Sequence, residues 1–252
     1  MPVTRRWLSL LALTCLTLTS TTFAQDMALN GVLIDGEGWK LLGEGYKFTE
    51  GPAVDDVGNV YFVDVPEGKI YKIDAATDNI TLFVENSGNA SGLMFGPAGK
   101  LYACQNKAKK IVTYDAVGKE TVIADNISVN DLVVDKHGGV YVTDPANKQV
   151  WYVTAKGEKK VVAKDITPNG IILWADGGTL VVTEGTEAIL WTYRVEKDGS
   201  LRFQERYYGP LQVPPGKDRP GSDGMTVDDK GRLYVATQAG LQMFDPTGRQ
   251  GG

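Results

Sequence analysis

Five residues that carry a side-chain oxygen recur at one position of an internal repeat, and they are the strongest candidates for chemistry. They are Glu50, Ser91, Asn130, Asn169 and Asp223, each followed by Gly or Asp and standing just ahead of an apolar segment. Carboxylate and amide oxygens are the ligands that a hard divalent cation such as Ca²⁺ takes in proteins. If the repeat brings equivalent positions together, the set predicts a ring of oxygens around one cation.

Taken one at a time, these residues are weaker evidence. Pro-Asn-Gly around Asn169 and Ser-Asp-Gly around Asp223 are ordinary turn signals and can be turns without a function. Glu50 differs, because Glu is not a favoured turn residue and a Glu at the inner end of a buried strand needs a partner. The prediction of a metal site therefore depends on the equivalence of the five positions.

The element that must position these residues is a β-hairpin that the chain repeats five times. Each copy has an apolar strand, an Asp-rich turn containing Gly, and a strand of alternating β-branched and aromatic residues. The copies cover residues 54–64, 95–104, 134–144, 174–183 and 227–237. A third strand follows each hairpin and a fourth follows most of them, which is typical of a β-propeller blade of roughly forty residues. The predicted fold is all-β, a propeller of the six-bladed type with about five repeats present.

The two ends of the chain carry further expectations. Residues 1–24 have a basic head, a short apolar run and a small-residue cleavage site, which predicts a signal peptide ahead of a propeller domain over 25–252. Residues 39–48 are expected to form a leading strand that completes the last blade, yet the fifth repeat has no outer strand and no sixth repeat follows. We expect either a six-bladed protein truncated at its C-terminus or a five-bladed ring in which the leading strand pairs with the fifth repeat.

Composition limits the class of function. The chain is 42% hydrophobic and 23% charged, with a net charge of −5 and no basic run, so a nucleic-acid or anionic-membrane partner is not expected. Only Cys104 remains after signal cleavage, so no intrachain disulfide can form. An exported protein of this kind suits the bacterial periplasm, with secretion as the alternative. A small molecule is the expected partner, and the sequence does not indicate an oligomeric state.

The chain has one histidine, His137, in the solvated turn of the third hairpin. A Ser-His-Asp triad, a histidine-liganded zinc and a histidine general base therefore have no other candidate. Catalysis is expected to use carboxylates, amides or a hard cation.

Four short motifs mark a family resemblance. They are Glu-Gly-Pro at 50–52, Asn-Asp at 130–131, Pro-Asn-Gly at 168–170 and Asp-Gly-Met at 223–225. With these motifs in order and correctly spaced over about 50–248, the chain resembles the senescence-marker/regucalcin, gluconolactonase and luciferin-regenerating family of six-bladed propellers.

The resemblance implies roles for individual residues. Residues matching Glu50, Asn169 and Asp223 hold a divalent cation, most often Ca²⁺, with Zn²⁺, Mg²⁺ and Mn²⁺ as alternatives. The residue matching Asn130 lies near the metal and contacts substrate or completes its shell, and Asp223 matches the catalytic acid/base. Several sugar lactonases of the family have a substrate-gripping arginine where this chain has Ser128.

The implied reaction is lactone hydrolysis, in which a cation stabilises the oxyanion and a carboxylate assists the attack of water. A carboxylate bound to a cation is a weak base, so Asp223 either accepts the proton or mainly positions metal and water. The alternatives are a non-catalytic ligand- or Ca²⁺-binding propeller and an organophosphate-type esterase.

The chain contains an insertion between two of the ring residues, Asn169 and Asp223. The spacing between ring residues is 39 positions from Ser91 to Asn130 and from Asn130 to Asn169, but 54 from Asn169 to Asp223. The extra residues, 207–221, are rich in Pro and include Lys217 and Arg219. They predict either a substrate lid that supplies positive charge or a plain connection between two blades.

Overall fold

The computed structural model describes residues 32–33, 36–207 and 209–251, so the predicted signal peptide lies outside the described residues. These residues form 19 strands and two short 3₁₀ turns, Pro97–Gly99 and Pro145–Asn147. The strands are β1 Thr49–Val54, β2 Val60–Asp64, β3 Lys69–Ile73, β4 Ile80–Val84, β5 Ala90–Phe95, β6 Leu101–Gln105, β7 Lys110–Tyr114, β8 Glu120–Ala124, β9 Leu132–Val134, β10 Val140–Asp144, β11 Gln149–Val153, β12 Lys159–Lys164, β13 Pro168–Leu173, β14 Thr179–Glu184, β15 Leu190–Val195, β16 Leu201–Tyr207, β17 Met225–Val227, β18 Leu233–Thr237 and β19 Gly240–Phe244.

The strands form five separate sheets, each an antiparallel meander. Blades 1 to 4 have four strands each (β1–β4, β5–β8, β9–β12 and β13–β16), and blade 5 has three (β17–β19). Helices contribute almost nothing in the described part of the chain. The prediction of an all-β propeller with about five repeats is confirmed.

In blades 1, 3 and 5 the first aspartate of the hairpin turn organises the turn. In blade 3, one carboxylate oxygen of Asp135 accepts hydrogen bonds from the backbone N–H groups of His137 and Gly139, at 2.7 and 2.9 Å. Gly138 supplies the positive φ of the turn, 82°. Asp55 and Asp228 make the same pair of bonds in their own hairpins. His137 is exposed at the turn, as the sequence predicted.

The hydrophobic core lies between blades. Four clusters of buried side chains fill the junctions between successive blades, with Val112, Val142, Leu180 and Leu233 as fully buried examples. Burying apolar surface in this way is the main favourable contribution to folding. Cys104 is fully buried in one of these clusters, and desolvation raises the pKa of its thiol well above the usual value. Cys104 therefore contributes to packing and does not act as a nucleophile.

Two blades fix the end of their second strand with a buried carboxylate. Asp144 accepts a hydrogen bond from the indole of Trp151 at 3.1 Å, and Glu184 accepts one from Trp191 at 2.9 Å. Burial opposes ionisation of both acids, but their hydrogen bonds outweigh it and lower both pKa values. These pairs hold the strand ends that face the candidate site.

The predicted leading strand is not observed. Residues 37–48 form no strand, although Lys40 pairs with Asp78 and residues 46–48 contact blade 1. The backbone N–H groups of Lys47 and Phe48 donate to the Asp64 carboxylate at 3.1 and 3.3 Å, and the Tyr46 ring packs edge-on against Phe62. Because a side chain takes up these donors, they are not available for a sheet ladder. None of the described residues lies in a helix that is long and apolar enough to cross a membrane.

Candidate cation and active site

The candidate site lies where the innermost strands of the five blades begin. A cavity of about 900 Å³ runs along these strands, and four ring residues line it: Glu50, Ser91, Asn130 and Asp223. Asn169 lies next to them, since its side chain is close enough to Asp223 to lower the pKa of that carboxylate. The repeat therefore brings together all five oxygen-bearing residues, as the equivalence of their positions predicted.

The ring residues lie at irregular points of their strands. Glu50, Ser91 and Asn169 lie within β1, β5 and β13, where the pairing register shifts by a β-bulge, while Asn130 and Asp223 lie two residues before β9 and β17. A bulge redirects a side chain that regular pairing would point elsewhere. The sequence had placed all five residues ahead of their strands, so that detail was wrong for three of them.

Glycine follows the ring residue wherever neighbouring blades touch most closely. A Cβ on Gly51 would lie 2.6 Å from the backbone oxygen of Ser91, and a Cβ on Gly170 would overlap the backbone oxygen of Asp223. Only Gly allows the backbones to approach this closely. Gly51 and Gly170 therefore have a packing role, because they allow neighbouring blades to bring their ring residues together.

Two buried threonines hold the ring from behind. The hydroxyl of Thr183 accepts a hydrogen bond from the N–H of Gly170 at 2.7 Å, and that of Thr143 accepts one from the N–H of Asp131 at 3.0 Å. Both threonines are fully buried, at the same position of β14 and β10. The sequence analysis did not predict this role. The available signal was that both strands end in Thr followed by an acid, Thr143-Asp144 in β10 and Thr183-Glu184 in β14.

The carboxylates of the ring raise one another's pKa. Burial and the neighbouring charge of Asp223 raise the pKa of Glu50 to about 7. Burial also raises the pKa of Asp223, although hydrogen bonds from the Gly224 N–H and the Asn169 side chain oppose the rise. Concentrated negative charge of this kind is stabilised by a cation. The site is therefore electrostatically suited to a positively charged ligand.

Asp131 is a further carboxylate that the sequence analysis did not assign. Asp131 lines the same cavity, and its pKa is raised to about 7, mainly because burial disfavours the charged form. The charges of Asp223 and Glu50 add to the rise. The signal for it was the Asn-Asp motif, where other blades have Gly after the ring residue.

Ser91 and Ser128 each make an internal contact. The Ser91 hydroxyl donates to the backbone oxygen of Asn130 at 2.5 Å, which links blades 2 and 3 at the ring. The Ser128 hydroxyl bonds the carboxylate of Asp144, and Ser128 is not among the residues that line the cavity. The structure therefore does not bring Ser128 together with the ring.

The inserted loop ends beside the ring. Leu211 is buried between blades 4 and 5, and the backbone of Gln212 exchanges two hydrogen bonds with the side chain of Gln242. Lys217 and Arg219 are exposed, and Arg219 donates to the backbone oxygen of Gly185 at 3.4 Å. Neither cation lines the cavity.

Two successive hydrogen bonds connect Arg219 to the segment that carries Asn169, at the mouth of the channel. Gly185 in turn bonds the backbone oxygen of Thr167, two residues before Asn169. Arg219 is therefore on the same side of the molecule as the ring, whereas no contact within the described part of the chain links Lys217 to the ring.

Within the described part of the chain, no three His, Cys, Asp or Glu side chains cluster closely enough to hold a metal by themselves. A cation at this mouth would need amide oxygens in addition to the carboxylates.

Comparison with known proteins places the chain in a family. The family model described as the SMP-30/Gluconolactonase/LRE-like region matches residues 48–251. A gluconolactonase of Zymomonas mobilis is 24% identical over 249 residues, which covers 80% of this chain and 68% of that protein.

Two solved structures are similar in fold. A gluconolactonase from Xanthomonas campestris superposes with a TM-score of 0.72 at 20% identity, covering 83% of this chain and 76% of that one. A calcium-binding protein, regucalcin, from Agrobacterium tumefaciens superposes with a TM-score of 0.69 at 19% identity, covering 83% and 75%. The family match extends over most of the chain and includes every ring residue, and the chain belongs to the SMP-30/gluconolactonase/LRE-like family.

Proposed function

We propose that this protein is a metal-dependent lactonase that hydrolyses a cyclic ester, with one divalent cation, Ca²⁺, held by Glu50, Asn169 and Asp223. The observation that carries the proposal is the convergence of two carboxylates and an amide from three blades at one mouth of the channel. Family membership supports the reaction class, since gluconolactonases are among its members.

The residues fit a hard cation by their chemistry. Ca²⁺ takes carboxylate and amide oxygens in flexible arrangements. The Asn169 side chain lies beside the Asp223 carboxylate and brings an amide oxygen to the site. Burial and the charge of Asp223 raise the pKa of Glu50, and a cation beside Glu50 would favour its ionised form. Asn130 lines the same cavity and can complete the shell or contact substrate.

Each residue then has a task in lactone hydrolysis. A bound divalent cation supplies a Lewis acid that polarises the lactone carbonyl and lowers the energy of the developing oxyanion. Asp223, open to the channel mouth, orients the attacking water and can accept its proton. Asn130 donates its amide N–H to substrate, and Arg219 adds positive charge on the side of the molecule where the mouth lies.

The experiment is a lactone panel assayed with the purified protein, with the chelator-treated protein, and after Ca²⁺ is added back. Activity on at least one lactone that is lost on chelation and restored by Ca²⁺ supports the proposal. Asp223→Asn, which keeps the shape but removes the charge, should then reduce kcat by about 10²-fold or more. Activity that survives both chelation and Asp223→Asn would refute it.

A non-catalytic Ca²⁺-binding propeller is the second candidate. The observation that favours it is the position of Ser128, which does not line the cavity and so offers no group there to a substrate hydroxyl. The fold neighbour described as a calcium-binding protein is consistent with it. Calorimetric Ca²⁺ binding without turnover of any lactone would establish this alternative. An organophosphate-type esterase would instead hydrolyse a phosphotriester included in the same panel.

We also infer export to the periplasm from the basic head, apolar run and cleavage site over residues 1–24. Fractionation of a bacterial host, followed by N-terminal sequencing, is expected to find a mature chain that begins at Gln25. A full-length chain retained in the cytoplasm would contradict export.

A further inference from the structure

We propose that Asp131 is a positioning residue that fixes Asn169 for cation binding, acting from the neighbouring blade. The inference deepens the function proposed above and depends on it. It assigns a role to a carboxylate outside the expected ligand set.

Asp131 is the exception to a packing rule. The residue after the ring position is Gly in blades 1, 2, 4 and 5 and Asp in blade 3. A Cβ on Gly92 would lie 2.6 Å from a carboxylate oxygen of Asp131, so this side chain occupies the space where neighbouring blades otherwise meet as bare backbone. Replacing Gly with a buried, charged group is costly unless the group has partners.

The partners of Asp131 are backbone groups of two blades. One carboxylate oxygen accepts a hydrogen bond from its neighbour Leu132 at 2.8 Å, and the other accepts one from Ile171 of blade 4 at 3.2 Å. Ile171 follows Asn169 by two residues, on the far side of the β-bulge between Pro168 and Ile171. The carboxylate thus connects the start of β9 to the bulge that carries Asn169.

This bulge is held by side chains at two successive residues. The Thr183 hydroxyl accepts the N–H of Gly170, and the Asp131 carboxylate accepts the N–H of Ile171. Because ladder pairing is interrupted at the bulge, these contacts replace the missing strand partners. Asp131 is itself fixed by Thr143, whose hydroxyl accepts its N–H at 3.0 Å. Loss of the Asp131 carboxylate would remove the hydrogen bond that ties the Asn169 segment to blade 3.

The test measures Ca²⁺ affinity by calorimetry for wild type, Asp131→Asn and a matched control, Asp135→Asn. The control also removes the charge of a blade 3 carboxylate that accepts two backbone N–H groups, but in the outer turn. We expect Asp131→Asn to weaken Ca²⁺ binding by about 10–100-fold, as is usual for groups that orient metal ligands, and Asp135→Asn to leave it unchanged. Circular dichroism establishes that each variant is folded at the temperature used.

A second variant keeps the test decisive if Asp131→Asn does not fold. Thr143→Val removes the hydroxyl that holds Asp131 while keeping the side-chain volume, and it should weaken Ca²⁺ binding in the same direction. Folded variants at Asp131 and Thr143 that bind Ca²⁺ as tightly as wild type would overturn the inference and leave the proposed function standing. A wild-type protein that binds no cation would overturn both.

Discussion

The side chain of Asn169 lies beside the carboxylate of Asp223 across the junction between blades 4 and 5, close enough to lower the pKa of that acid. The two residues are 54 positions apart in the chain and occupy equivalent places in the repeat. Their proximity places an amide group and a carboxylate, both of which can offer oxygens to a cation, at one point of the cavity.

The first prediction concerns this pair. Asn169→Ala removes one ligand oxygen and the donor that supports the ionised form of Asp223, so Ca²⁺ affinity measured by calorimetry should fall by about tenfold or more. Asn59→Ala is the matched control, since Asn59 donates its side-chain N–H to the Asp55 carboxylate in the hairpin turn of blade 1, at the opposite end of β1 from Glu50. Equal affinities for both variants would contradict the assignment.

The second prediction is a pH dependence that originates in Glu50. Its pKa is raised from 4.5 to about 7 in the folded protein, so between these values the folded chain keeps a proton that the unfolded chain has lost. The contribution of Glu50 to stability is therefore fully present below pH 4.5 and is lost as the pH rises through about 7.

Urea unfolding of the chelator-treated protein measures this effect against Glu50→Gln, which does not titrate. The stability of wild type relative to Glu50→Gln should fall as the pH rises from 5 to about 7.5, in line with linkage. Ca²⁺ binding should release a proton near pH 6 and not near pH 9, because the cation favours the ionised carboxylate. A stability difference that does not change with pH would show that Glu50 is ionised throughout.

The third prediction compares two glycines at equivalent positions. A Cβ on Gly170 would overlap the backbone oxygen of Asp223, whereas a Cβ on Gly224 would meet nothing within 4 Å. Gly170→Ala should therefore reduce the free energy of unfolding by about 2 kcal/mol or more, as overpacking does. Gly224→Ala should change it by less than about 0.5 kcal/mol. Denaturant unfolding tests both, and equal losses would mean that the blades do not meet as described.

The fourth prediction concerns the inserted loop. Arg219 is exposed and reaches only a backbone oxygen, Gly185, on the side of the ring. If it attracts substrate, Arg219→Ala should raise KM for an anionic lactone by about tenfold and leave kcat unchanged, which is the signature of lost uniform binding. Arg202→Ala, an exposed change on the outer strand β16, is the control. A KM that does not change would make the loop a simple connection between blades.

The repeat made most of the fold predictable from the sequence. Asp-x-x-Gly turns and alternating strands are local signals, so blade number and hairpin positions followed from them. The convergence of Glu50, Asn169 and Asp223 followed because equivalent positions of successive blades share one end of the channel.

Other features depend on contacts between blades and could not be predicted locally. The sequence analysis assigned no role to Asp131, because its hydrogen bond to Ile171 of the next blade depends on how two blades pack. The segment 39–48 has residues typical of a strand. The strand does not form, and the Asp64 carboxylate accepts hydrogen bonds from two of its backbone N–H groups. Ser128 aligned with a substrate position, but its hydroxyl is bonded to Asp144.

The central claim is that one cation is held between Glu50, Asn169 and Asp223. An anomalous difference map from crystals of the protein grown with Mn²⁺ or Ca²⁺ tests it most directly. The account predicts one strong peak at the channel mouth, with oxygens of all three side chains about 2.0–2.6 Å away. A map with no peak there, or with its peak bound by other residues, would contradict it.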